Sequence, residues 1–312
     1  MSKSALDPNI TVADLMAIDY HYNYSDGELM SDWYKLCNTT QFKSGSQFRP
    51  GIKLCQHFFP NFWHIRNSRG TSFAQCWQDR NLMEDVLQWG KKGMSQLWMS
   101  WIRRAIFMRA GLPNSSFYRP HFSRQIILES GIRTGTLFDP CAGWGGRMLG
   151  TVSSGWHYIA CEPNTETYRN LLELVEFLGI ADNVTLLNQP AEHFDYGSLR
   201  GKVDVVLTSP PYFNLEVYSA ESTQSYNKHK NYTEWKDQWL IPLIKECTSL
   251  LKPSGVSCWN AMNFAACPLA ADVVDAHHGL GWKVTNTLGF RSPLENIRTV
   301  KNKDLTYVFK KT

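Results

Sequence analysis

The sequence predicts an α/β fold: a doubly wound, mostly parallel sheet with an antiparallel last strand, preceded by a mainly helical and irregular amino-terminal region. Three observations lead there. From Pro120 onward, short apolar runs of strand length alternate with longer runs of helical period. A glycine-rich segment, Asp139-Pro140-Cys141-Ala142-Gly143-Trp144-Gly145-Gly146-Arg147, lies between the first such strand and the next helix. An apolar Val203-Asp204-Val205-Val206-Leu207 run leads at once into Thr208-Ser209-Pro210-Pro211-Tyr212, a stiff turn at the end of a buried strand.

Taken in order, residues 1–34 carry six acidic residues against Lys3 and contain no long element; they read as an arm packed on the body. Residues 48–69, with Pro50, Gly51 and Pro60, read as irregular structure with short pieces. Residues 81–110 are helical: Leu82, Val86, Leu87, Met94, Leu97, Trp98, Trp101 and Ile102 recur at helical spacing, with Gly90 and Gly93 as an interruption. Gly111-Leu112-Pro113 ends that region. Helix follows over 122–129, strand over 136–138, helix from about Gly146, strand over 156–160 and helix over 165–178. Strands at 184–187 and 203–207, a long helix at 235–251 and a strand at 256–260 continue the rhythm. The strands at 282–290 and 305–309 close the sheet as a hairpin at one edge. The division expected is a basic, Trp-rich region over 1–115 and a sheet domain over 116–312.

Charge is uneven. Residues 35–114 hold twelve Lys or Arg against Asp79, Glu84 and Asp85, while the whole chain has a formal charge of only +4. A basic stretch beside a neutral body suits a polyphosphate partner. The eight cysteines are scattered without a CxxC pair, which reads as reduced thiols in a cytoplasmic protein and not as a zinc site. No apolar run is long enough to span a membrane.

The glycine segment lets the backbone turn tightly and approach a ligand. Glu162, in Ala160-Cys161-Glu162-Pro163-Asn164, follows the second strand about twenty residues on, where a carboxylate can accept both hydroxyls of a ribose. That spacing also suits a dinucleotide. Asp139, ahead of the glycines, favours instead the ammonium group of a methionine moiety, since two phosphates would seek bare amides.

With these residues the chain resembles the class I S-adenosylmethionine-dependent methyltransferases, and more narrowly those that methylate amino groups in DNA. The resemblance covers roughly residues 117–312 and implies S-adenosylmethionine as cofactor. It implies cofactor contacts from Asp139, Pro140, Ala142, Gly143, Trp144, Gly145, Glu162 and Thr208, with Phe117 and Phe122 closing over the methionine end. Where many members carry an Asp after the third strand for the adenine, this chain has Asn188-Gln189-Pro190-Ala191-Glu192, so that contact is left between Gln189 and Glu192.

Ser209, Pro210, Pro211 and Tyr212 are the expected catalytic group. A base amino group is a poor nucleophile because its lone pair is delocalised into the ring. Acceptors at Ser209 and the Pro210 carbonyl can bond its hydrogens, and Tyr212 can stack on an extruded base. In the family, Ser at the head of this turn is associated with cytosine N4 and Asp with adenine N6; cytosine N4 is therefore favoured and adenine N6 kept as the alternative. The expected partner is double-stranded DNA, gripped by Lys91, Lys92, Arg103, Arg104 and Arg109, or by the polar loop 213–232, which would order around substrate. An RNA base methyltransferase, a small-molecule N-methyltransferase and a nucleic-acid-binding protein on a degenerate fold stand as competing readings. His277 and His278 read as structural.

Overall fold

The computed structural model describes residues 5–42, 48–113, 115–264, 267–289 and 304–312. The amino-terminal region forms six helices: α1 (Val12–Ala17), α2 (Asp26–Cys37), α3 (Ile52–Phe58), α4 (Phe73–Trp77), α5 (Arg80–Gly93) and α6 (Met99–Ala110). There follow α7 (Pro120–Glu129), β1 (Thr136–Asp139), α8 (Gly146–Val152), β2 (His157–Cys161), α9 (Thr165–Leu178), β3 (Val184–Leu187) and β4 (Val203–Thr208). Last come α10 (Ser225–Lys228), α11 (Tyr232–Trp235), α12 (Ile241–Ser249), β5 (Leu251–Ala261), α13 (Leu269–Gly279), β6 (Trp282–Gly289) and β7 (Leu305–Lys311).

The seven strands form one sheet in the order β3-β2-β1-β4-β5-β7-β6. β1 to β5 pair in parallel, whereas β7 runs antiparallel to both β5 and β6. The order reverses between β1 and β4, so their carboxyl ends diverge and leave a crevice there. Side chains alternate across the sheet as the pleat requires. Phe138, Val206, Trp259 and Phe309 face a core shared with α12 and α13. Leu137, Val205, Leu207 and Cys258 face the opposite core, shared with α7, α8 and α9.

That second core also contains Leu29, Trp33 and Leu36 of α2 and Leu54 and Cys55 of α3. The first residues are thus not an arm without long elements. Leu29, Trp33 and Leu36 recur at helical spacing, and Ser25 caps α2 in a capping box with Glu28. Thr11 and Ser72 open α1 and α4 with boxes of the same kind. A third core, with Trp63, Phe73, Trp77, Met83, Val86 and Ile106, holds α4, α5 and α6 together.

Two local expectations change. Gly90 does not interrupt α5; a Cβ there would come within 2.6 Å of Leu97 and 2.7 Å of Trp101, so its bare backbone lets α6 pack closely. The long helix expected over 235–251 begins at Tyr232 and ends at Ser249, and it passes through a π turn at Lys236–Leu240. Pro242 has no N–H to donate, and the Ile241 amide reaches back to the Lys236 carbonyl instead. β5 starts earlier than expected, with a register shift against β4 between Val203 and Val205. Phe290 lies outside the described residues.

Candidate active site

The carboxyl ends of the central strands open into a cavity of about 680 Å³, in the ~300–1,000 Å³ range of small-molecule sites. Pro140, Ala142, Gly143 and Trp144 line it from the loop after β1, and Glu162 from the end of β2. Ser209, Pro210, Pro211 and Tyr212 line it from the turn after β4. Phe117 and Phe122 border it from the segment leading into α7 and from α7 itself. Two motifs more than forty residues apart in sequence thereby share one space.

Asp139 is placed differently from expectation. It is fully buried and does not line the cavity. Its Oδ2 accepts from Arg147 Nε at 2.6 Å and from the Tyr158 hydroxyl at 2.7 Å, and its Oδ1 from the Cys141 amide at 3.1 Å. A buried carboxylate without such partners would cost several kcal/mol, so here it anchors the loop and not an ammonium group. Arg147 occupies the first turn of α8, where the helix dipole disfavours a cation, and Asp139 is what makes it tenable. Burial works against the guanidinium charge, but Asp139 and Tyr158 outweigh it and hold the Arg147 pKa above its usual value. Its Nη2 also donates to the Cys141 and Ala142 carbonyls. Gly145, packed beside Leu174 and Phe59, and the buried Thr208 likewise stand outside the cavity wall. The Thr208 hydroxyl has no hydrogen-bond partner among the described residues.

Glu162 is 7% exposed, with that surface on the cavity. Its Oε2 accepts from the Gly143 amide at 2.8 Å and its Oε1 from the Asn164 amide at 2.9 Å. Burial raises its pKa to about 7, against the lowering effect of those two amides. Gly143 has a φ of +58°, which a side chain would strain, and it exposes backbone to the cavity.

Aromatic rings from four segments enclose the adjoining wall. Phe117 stacks on Phe62 at 4.5 Å, Trp144 meets Phe62 at 5.2 Å and Phe117 at 5.4 Å, and Tyr218 meets Trp144 at 5.8 Å. Tyr218 belongs to the loop 213–232, which is ordered by the protein itself and not left for a substrate to order. Val217 pairs with Arg66 in both directions at 3.0 and 2.9 Å, and Thr223 bonds the Pro163 carbonyl at 3.1 Å. Glu216 accepts from Ser115 and Tyr218. The loop opens at Phe213, whose φ of +46° is a strained conformation for a side chain and is held by packing against Tyr232 and Trp235.

The expected basic grip is divided. Arg103 and Arg104 line the cavity, together with Arg49 and Arg119. Lys91 donates to the Ile10 carbonyl at 2.9 Å, and Arg109 pairs with Asp85 at 3.3 Å while lying over Trp89. Arg103 is itself buried, bonded to the Tyr20 and His21 carbonyls and set over the Tyr22 ring at 4.4 Å. Of the two adenine-side candidates, Glu192 lines the cavity, bonded to Lys228 and Trp239. His277 packs as a structural residue: buried, stacked on Phe309 at 3.8 Å and bonded to the Val273 carbonyl.

The residues fit S-adenosylmethionine: a carboxylate, a bare glycine backbone, apolar rings and a proline turn line one cavity. Among the described residues no group of three or more His, Cys, Asp or Glu could hold a metal ion, and no helix is long and apolar enough to cross a membrane.

Sheet order and site together define a class I methyltransferase that uses S-adenosylmethionine. Residues 203–312, which contain the proline turn, match the N6/N4 family model described as DNA methylase. Over this segment the chain is similar to that family, and the activity the match supports is S-adenosylmethionine-dependent methylation of an amino group in DNA, at cytosine N4 or adenine N6. No curated protein matches the chain. Solved structures similar to it include a SAM-dependent methyltransferase from Aquifex aeolicus, at 14% identity and a TM-score of 0.39, covering 60% of this chain and 88% of that one. Another is the ribosomal protein L11 methylase from Lactobacillus delbrueckii subsp. bulgaricus, at 13% identity and 0.42, covering 64% and 82%. A third is the 1,6-didemethyltoxoflavin-N1-methyltransferase of Burkholderia thailandensis, at 11% identity and 0.43, covering 62% and 78%.

Two features of the site were not anticipated. Arg147 carried a signal, a cation in the first turn of a helix eight residues after a buried acid. Asp304 and Asn260 carried none, because only the pairing of β5 with β7 brings them to the turn.

Proposed function

We propose that the chain methylates the N4 amino group of cytosine in double-stranded DNA, acting on a base extruded from the helix, in the cytoplasm or at the nucleoid. The observation that carries this reading is Ser209 at the head of the turn, lining the same cavity as Glu162. A hydroxyl at that position is the form associated with cytosine N4 in the family. Glu162 binds the ribose hydroxyls, the Gly143 backbone supports the methionine portion, and Phe117, Phe122 and Trp144 exclude water around it. Bound S-adenosylmethionine supplies an electrophilic methyl group. Ser209 and the Pro210 carbonyl accept hydrogens from the target amino group, which turns its lone pair out of conjugation, and Tyr212 flanks the ring. Pro211 keeps the turn rigid. The region 1–115 contributes the guanidinium side of the entrance, with Arg104 exposed there to meet phosphates.

The test is incubation of the purified protein and S-adenosylmethionine with unmodified duplex DNA, single-stranded DNA or RNA, followed by digestion and mass analysis of nucleosides. N4-methylcytosine from DNA is the expected product. N6-methyladenine would replace the base assignment, and modified nucleosides from RNA alone would overturn the DNA substrate.

A further inference from the structure

The proline turn begins with Ser209, so it brings no carboxylate of its own to the target amino group. The fold brings one from elsewhere. Asp304, immediately before β7, lines the catalytic cavity beside the turn. Its Oδ1 is fully engaged: it accepts from the Tyr212 hydroxyl at 2.6 Å and from Asn260 Nδ2 at 2.6 Å. Its Oδ2 has no hydrogen-bond partner among the described residues, and the residue remains accessible on the cavity side.

The position is built, not incidental. Asn260, at the end of β5, also accepts from Thr306 Oγ1 at 3.0 Å, and Thr306 lies 3.1 Å from the Tyr118 hydroxyl. The Arg147 guanidinium sits over the Tyr118 ring at 5.3 Å, and Arg147 is the partner of Asp139. A continuous chain of polar contacts thus runs from the loop after β1 to Asp304. Antiparallel pairing of Asn260 with Thr306 in the β5–β7 ladder sets its register. Ser209 lines the same cavity, three residues before the Tyr212 whose hydroxyl donates to Asp304. The Tyr212 bond thus places Asp304 at the same end of the cavity as the turn that carries Ser209. An amino group seated at the turn meets this carboxylate as well as Ser209 and the Pro210 carbonyl.

We propose that Asp304 Oδ2 shares with the Pro210 carbonyl the amino hydrogen that Ser209 does not accept, and that this carboxylate helps orient the nitrogen toward the methyl donor. The proposal rests on the reading of the chain as a base amino-methyltransferase. In the reaction the nitrogen lone pair forms the N–C bond, the S–C bonding pair remains on sulfur, and the nitrogen then loses one proton to solvent. Asp304 holds one of the two N–H bonds during that step and needs no net change of protonation.

The experiment is single-turnover methylation of duplex DNA by wild type, D304N and D304A, with cofactor affinity measured by calorimetry on each. D304N separates the alternatives. It keeps an oxygen to accept from Tyr212 but turns an NH₂ donor toward the amino group. A residue that only supports Tyr212 would tolerate that change; an acceptor for the amino group would not. The expected result is a loss of at least about a hundredfold in D304N, with cofactor affinity within about twofold of wild type. A D304N rate within threefold of wild type overturns the proposal and leaves the methyltransferase reading standing. Failure of wild type itself to modify DNA overturns both. Should D304A not fold, D304N carries the test alone, because it preserves size and the Tyr212 bond.

Discussion

At the residue scale, Glu162 shows how burial tunes the carboxylate proposed to hold the ribose. Its pKa of about 7 stands above the usual 4.5, so in the apo protein the neutral form is favoured over that interval. The sign for stability follows: the folded state binds the extra proton, so this contribution is present below about 4.5 and is lost as pH rises through 7. Cofactor binding runs the other way, since a carboxylate accepting ribose hydroxyls is better charged. Affinity for S-adenosylmethionine should therefore rise with pH through 7 and release protons near pH 6.5. Calorimetry in two buffers of different ionisation enthalpy measures that release, and E162Q should abolish it. A cofactor affinity flat from pH 6 to 8 would contradict the assignment of Glu162 to the ribose.

At the element scale, the loop after β1 is positioned by how closely α7 and α8 approach. A Cβ at Gly146 would fall 2.0 Å from the Tyr118 carbonyl oxygen, and one at Gly150 would fall 2.1 Å from that of Pro120. Both obstacles are backbone, which cannot swing aside. G150A should destabilise by at least about 1–3 kcal/mol, read as a lower urea midpoint at unchanged slope. G27A is the control, because Gly27 is exposed in α2 with nothing within 4 Å of its would-be Cβ. It should be neutral or stabilise by up to about 1 kcal/mol. Equal losses in the two variants would refute the close-approach account. Helices α2 and α3 also belong here: short, and with a side-chain cap only on α2, they gain their stability from the sheet's core and not from their length.

At the scale of the whole molecule, the expected boundary near residue 115 is crossed by a continuous core. Leu29, Trp33, Leu36, Leu54, Cys55 and Phe59 pack with Met148, Leu149, Leu171 and Leu174. A chain beginning at Ser116 would expose that face. It should be insoluble or bind a hydrophobic dye strongly, with a weakened near-ultraviolet dichroism signal. A well-folded, cofactor-binding 116–312 fragment would disprove the shared-core account. The same scale governs DNA. Guanidiniums at the cavity entrance predict that log affinity for DNA falls linearly with log salt, and R104Q should reduce that slope by about 1 without changing which base is modified. An unaltered slope would remove Arg104 from the phosphate contacts.

The alternating periods, the glycine segment, Glu162 and the Ser209-Pro210-Pro211-Tyr212 turn were legible along the chain because each depends on neighbours close in sequence. Hydrophobic period follows helix or strand geometry, glycine and proline act on their own torsions, and a motif after a strand inherits the strand's direction. These made the sheet, the cofactor and the proline turn readable. Other features depend on partners brought together from far apart, and no local pattern encodes them. Asp139 looked free until Arg147 and Tyr158 closed on it. Arg103 and Lys91 looked like surface cations until Tyr20, His21 and Ile10 offered them carbonyls. The loop 213–232 looked unsupported until Arg66 paired with Val217. Asp304 became part of the site only when β7 paired with β5. A side chain's chemistry is written in the sequence, but whether its charge is spent inside the protein or kept for a ligand depends on what packing places against it.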